Sequence, residues 1–275
     1  MTVLAGVLLA VCAACCYDGA IALQAAEARK VRADVGLHPR LFARLIRRPR
    51  WVAAIMLDAA GWPFQLGALA LVPLSVVQPA LALGLILLLV LGGRMLGEHA
   101  RGFEITGVAL LTGGVALLAA IAPEHSDAHA STLALALVSA GLALVAVTPF
   151  ALGAHGTVLV GAAGAAFTLG ALTSKLVTDE LAGGTVLGVV AWVAVTGAAA
   201  FTGKLAETAA LQRMTAAAVA APIFAMQAVV PVLAAPALTG EHWNAGVPFG
   251  LVLVLVGTLL LGRSPAVLGL VEAAE

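Results

Sequence analysis

Charge is scarce in this chain: Asp, Glu, Lys and Arg make up 10% of its 275 residues, while 62% are hydrophobic and the mean hydropathy is +1.09. A soluble domain of this length has no use for so much apolar surface, so the poverty of charge excludes it and leaves a polytopic membrane protein. The formal net charge is zero, which removes nucleic acid from the expected partners. Strict alternation of apolar and polar residues is also lacking; the apolar runs are continuous, which disfavours a β-barrel and favours helices. No Lys or Arg precedes the first apolar stretch, MTVLAGVLLAVCAACC, so a cleaved signal peptide is not expected. There is no nucleophile triad and no His-Glu-x-x-His. The glycines of GGRMLGEHARG lack the strand–loop–helix context that phosphate binding needs, so an enzyme is not expected. The three cysteines, Cys12, Cys15 and Cys16, share one apolar run with no His nearby and read as small residues of a membrane helix rather than metal ligands.

What the chain has is long apolar runs. A hydrocarbon core of roughly 30 Å takes about 20 residues of helix. Runs of that order lie near 3–26, 51–72, 74–94, 104–122, 131–150, 157–177, 184–211, 215–237 and 246–263, which predicts nine spans. The breaks, such as LVPLS, IAPEHSDAHAS and PALTGEHWNAG, carry Pro, Gly and polar residues. The acidic and histidine side chains of EHSDAH (124–129) read as a solvated loop. The stretch Arg29–Arg50 is strongly basic. With that loop in the cytoplasm, alternation through nine spans also brings Arg94, Arg101, Lys204, Arg213 and Arg263 to the inner side and leaves only Lys175 toward the outside. The expected location is a cell (plasma or inner) membrane, multi-pass, N-terminus outside and C-terminus cytoplasmic.

The triplet Gly-Glu-His occurs at 97–99 and 240–242. Laying GEHARGFEITGVALLTGG on GEHWNAGVPFGLVLVLVG puts Gly107 on Gly250 and Gly114 on Gly257, and the same offset puts Pro79 on Pro222. A larger offset lays DGAIALQ (18–24) on LGALTSK (169–175), with Gly19 on Gly170, as expected if the basic loop lengthens the first half. Equivalent spans are then five apart. Five is odd, so the halves run through the membrane in opposite senses. The expected fold is an all-α polytopic membrane protein of about nine transmembrane helices. Residues 1–123 form a first four-helix repeat, 124–156 a central linking helix, and 157–275 a second, inverted repeat. Inversion separates Glu98 from Glu241 by roughly 30 Å of hydrocarbon, so the two triplets read as helix ends and not as halves of one ion site.

Charged groups inside a bilayer are costly, about 2.5–3.5 kcal/mol each on insertion scales, and are functional candidates by default. Asp18 lies in the first span beside Tyr17. Asp58 lies in the second, seven residues past Trp51, hence about 10 Å in. Lys204 and Glu207 lie in the inner part of the seventh, on one helix face at i,i+3. Gln24, Gln65, Gln78 and Gln212 add neutral donors and acceptors. If Lys204 and Glu207 neutralise each other, Asp18 and Asp58 remain as an acidic surplus, which suits a cation or an exchanging proton. Lys175 reads as snorkelling. Pro79 and Pro222, at matched places, read as kinks with a role in opening and closing. The candidate substrate- or ion-binding set is Asp18, Asp58, Gln65, Lys204 and Glu207.

The segment VVQPALALGLILLLVLGGRMLGEHARGFEITGVALLTGGVALLAA resembles the third and fourth helices of a drug/metabolite transporter repeat of the EamA-like type: an apolar Pro-containing helix, a Gly-Glu turn and a Gly-rich helix. Nine spans together with AVAAPIFAMQ, ALTSKL and GEHW resemble the NIPA-type magnesium transporters of that superfamily. The resemblance covers most of residues 3–263. It implies a secondary transporter working by alternating access, with magnesium as a transported ion rather than a cofactor; Asp18 and Asp58 are the groups that would meet a cation. The residues themselves leave the cargo open between a cation and a small polar metabolite. The competing readings are a membrane-embedded lipid-handling protein and a structural protein without transport activity. The expected partners are the lipid bilayer and the cargo, with the chain a monomer or homodimer.

Overall fold

The computed structural model describes residues 2–28, 30, 44–72, 76–77, 80–81, 83–91, 94, 102–121, 132–152, 156–184, 186–239 and 246–262. Both Gly-Glu-His triplets, the EHSDAH stretch, most of the basic loop, Gln78 and Pro79 lie outside the described residues. The described residues are 93% helix, joined by turns and bends and without strands. The helices of eight residues or more are α1 (Thr2–Ala28), α2 (Pro49–Leu71), α3 (Gly84–Leu91), α4 (Gly102–Ala120), α5 (Thr132–Leu152), α6 (Thr157–Gly183), α7 (Val186–Leu211), α8 (Ala216–Thr239) and α9 (Gly246–Gly262). Each falls on one of the apolar runs. Within the described residues five are long and apolar enough to cross a membrane: Leu4–Ala28, Pro49–Leu71, Leu133–Leu152, Thr157–Gly183 and Val186–Leu211.

Local chemistry sets the ends. α2 begins with Pro49 in its first turn, where a missing N–H costs nothing. α6 starts after Gly156, whose φ of 58° is a conformation that a side chain would strain. Hydroxyls on apolar helices are satisfied within the helix: Thr106 donates to the carbonyl of Gly102, Thr148 to Leu144 and Thr202 to Ala198. Such back-bonding lets an outward-facing Thr sit in hydrocarbon without a free donor.

α6 is the most enclosed of the long helices, because Ala162, Ala163, Gly164, Ala165 and Ala166 let its neighbours approach closely. A Cβ on Gly164 would come within 2.5 Å of Met226 Sδ on α8. α1 packs on α2, α3 and α7, while α6 packs on α7, α8 and α2. α4 packs on α9 in antiparallel sense: Gly114 lies against the backbone of Gly250, and Gly257 against that of Gly107. α5 lies at the side of the bundle against α6. It exposes Leu133, Leu137, Leu144 and Leu152, and α7 exposes Val186, Leu187, Val190 and Phe201. In water such faces would drive association; they are compatible with a membrane-embedded protein.

Candidate functional site

Asp58 stands on the inward face of α2, on the same stripe as Trp51, Ile55, Trp62 and Gln65. That 3.6-residue periodicity lines one wall of a cavity of about 540 Å³. α1 contributes Tyr17 and Ile21, and α6 contributes Phe167, Gly170 and Ser174. α7 contributes the face from Val193 to Glu207, and α8 contributes Phe224 and Gln227.

Among the residues lining the cavity, three charged side chains meet. The Lys204 ammonium donates to Glu207 Oε2 at 2.5 Å and to Asp58 Oδ1 at 3.3 Å, and it lies 5.2 Å from the centre of the Phe167 ring. The Glu207 side chain is 2% exposed and that of Asp58 is 25% exposed, so Glu207 is the enclosed partner and Asp58 the accessible one. Two neighbouring aromatic rings are held by hydrogen bonds: Tyr17 donates through its hydroxyl to Gln65 Oε1 at 2.6 Å, and Trp62 donates through Nε1 to Ser174 Oγ at 3.1 Å. Thr196 donates to Thr173 across α7 and α6 at 2.8 Å.

Of the residues singled out in the sequence, Asp58, Gln65, Lys204 and Glu207 line this one cavity. Asp18 does not line it. Its carboxylate is fully buried, with no hydrogen-bond partner among the described residues, and sits where a methyl on Gly84 of α3 would collide with it. Gln24 is likewise fully buried, its amide without a hydrogen-bond partner among the described residues. Lys175 pairs with Asp179 one turn on, at 2.5 Å. Pro222 lies within α8, one residue before Ile223, which lines the cavity. Cys12 and Cys15 are exposed on α1, and among the described residues no group of three or more His, Cys, Asp or Glu is placed to hold a metal.

Sequence reasoning missed Glu27. It is buried at the end of α1 and bound by Lys30 at 2.5 Å and Arg48 at 3.1 Å; the i,i+3 spacing to Lys30 was the available signal. It also missed the aromatic walls at Phe167 and Trp62, since an aromatic in an apolar run carries no mark of facing a cavity. Comparison of the chain with protein-family models, with curated proteins and with solved structures finds no match.

Proposed function

We propose that this protein is a secondary membrane transporter that moves a cation or a small polar metabolite by alternating access through the cavity between α1–α2 and α6–α8. One observation carries the reading: a cluster of acidic and basic side chains in contact, Asp58–Lys204–Glu207, lining a cavity among apolar helices. A cluster that only held helices together would have no need of a cavity, and intramembrane charge beside one is the ordinary mark of a substrate path.

An inverted repeat, in which α1–α4 correspond to α6–α9, is part of the proposal. It is supported by the pairing of helices, since exchanging the halves turns α1·α2 into α6·α7, α1·α3 into α6·α8 and α1·α7 into α6·α2, all of which pack. The same exchange turns the Gly107–Gly257 approach into Gly250–Gly114. Gly19 faces Leu57 of α2 and Gly170 faces Ala199 of α7. Membership of the drug/metabolite transporter superfamily, near the NIPA-type branch, fits this architecture and puts magnesium among the cargoes to be tried.

In this reading Asp58, Gln65, Lys204 and Glu207 meet the cargo. Asp18, buried behind them, serves the coupling cation or proton, and Pro222, with Pro79, allows the helices to bend. The protein sits in the cell membrane with its C-terminus inside. The test is uptake into liposomes of purified protein, screened with divalent ions and metabolite pools. Asp58→Asn is expected to lower transport with the fold intact. Unchanged transport and unchanged pH dependence in Asp18→Asn and Asp58→Asn alike would remove both carboxylates from the mechanism. Absence of any uptake by the intact protein would leave a lipid-handling or structural role.

A further inference from the structure

We propose that the cavity takes an organic amine, one ammonium group on an aromatic or otherwise apolar body, and that this ligand arrives sideways from the bilayer between α2 and α7. The proposal rests on the transporter reading and names its cargo.

Charge sets the sign. Asp58 and Glu207 together outnumber Lys204 by one, so the cluster carries one negative charge when all three are ionised. An anionic cargo would meet two carboxylates and a lysine already engaged by both. Geometry chooses the carboxylate that exchanges: Glu207 is enclosed and 2.5 Å from Lys204, whereas Asp58 is 3.3 Å away and more exposed. A ligand ammonium takes the place of Lys204 at Asp58, Lys204 stays with Glu207, and the cluster becomes neutral without any proton changing hands.

The walls set the body. Beyond the charges the lining is aromatic and aliphatic, with Trp62, Phe167, Phe224 and Ile21 prominent. The Phe167 ring already has an ammonium 5.2 Å from its centre, the arrangement in which a ring face attracts a cation. Of the polar groups, Gln65, Ser174 and Thr196 are already hydrogen-bonded to Tyr17, Trp62 and Thr173. A magnesium ion demands near-octahedral oxygen ligation and gives up its waters reluctantly; these walls do not offer it. A cavity of about 540 Å³ suits a small molecule with a ring system.

The mouth sets the route. Ala59 on α2 and Val193, Gly197, Ala200 and Phe201 on α7 line the cavity and are also exposed. α7 is apolar on this flank, and among the described residues α2 and α7 do not pack along each other. The Asp58–Lys204 contact crosses the gap between them.

The test uses the full-length protein in lipid nanodiscs, with empty discs as the control, and the fluorescence of naphthylmethylamine as the probe. Saturable binding is expected. Losing the charged contact in Asp58→Asn should weaken it by roughly tenfold to a hundredfold, while Asp58→Glu, which keeps the charge, should largely retain it. Naphthylacetate should not compete. Methylammonium, which lacks the body, and magnesium chloride should compete only in large excess. A Cβ on Gly197 meets no atom within 4 Å, so Gly197→Trp can narrow the mouth without a backbone clash; it should slow association in stopped flow. No saturable binding by the intact protein, equal competition by naphthylacetate, or displacement by equimolar magnesium would overturn the amine assignment, and unchanged association in Gly197→Trp would overturn the sideways route. Uptake of magnesium or a polar metabolite with no amine binding sinks the assignment and leaves the transporter reading standing. Amine binding with nothing transported does the reverse.

Discussion

Lys204 holds two carboxylates, and that double duty decides what its loss would do. Removing one partner of a buried ion pair strands the other and costs about 3–5 kcal/mol. Lys204→Met should therefore lower the unfolding temperature sharply, and Lys204→Met combined with Glu207→Gln should recover part of the loss; equal instability in the single and double variants would show that Glu207 is not the stranded group. Asp58→Asn is milder. Its side chain is 25% exposed and Lys204 keeps Glu207, so the expected cost is below about 1 kcal/mol, as for exposed pairs. Asp18 is the converse case. Among the described residues its carboxylate has no hydrogen-bond partner to lose, so Asp18→Asn should hold or raise the unfolding temperature. Gly84→Ala should lower it by driving a methyl into that carboxylate. Thermal unfolding of the purified variants in detergent reads all of these.

At the scale of elements, the α4–α9 contact gives two neighbouring glycines opposite fates. A Cβ on Gly114 would lie 2.8 Å from the carbonyl oxygen of Gly250 and 2.9 Å from the backbone nitrogen of Val254, and backbone cannot step aside as a flexible side chain can. A Cβ on Gly113 meets nothing within 4 Å. Helix propensity favours Ala over Gly by about 1 kcal/mol at either place, so packing decides the sign. Gly114→Ala should destabilise by about 1–3 kcal/mol, the usual cost of overpacking. Gly113→Ala should be neutral or stabilising. If the two variants unfold alike, α4 and α9 do not meet through these glycines. Part of this level was legible beforehand: each helix falls on an apolar run, and laying one Gly-Glu-His segment on the other sets Gly107 against Gly250 and Gly114 against Gly257. That α4 and α9 would touch along that line was not legible, because an alignment says which residues correspond and not which ones meet.

For the whole molecule, the charge bias predicts a topology that labelling can check. In a background with Cys12, Cys15 and Cys16 replaced by Ser, His38→Cys should react with an impermeant maleimide only after the cells are opened. Asp127→Cys should react from outside intact cells. Labelling of His38→Cys from outside would reverse the expected orientation and with it the inner placement expected for the Asp58–Lys204–Glu207 cluster. What the sequence by itself determined is what depends on composition and on near neighbours: helices because the apolar runs are long and continuous, membrane compatibility because charge is scarce, and the Lys204–Glu207 pair because i,i+3 residues share a helix face. What only the tertiary structure decided is which distant groups meet. Asp58 reaches Lys204 from 146 residues away, whereas Asp18, equally acidic and equally apolar in its surroundings, is shut behind α3 and faces Gly84. Both carboxylates are costly in hydrocarbon. Their separation turns on the rotation and close approach of α1, α2 and α3, which are set by small residues packing against partners that no local pattern names.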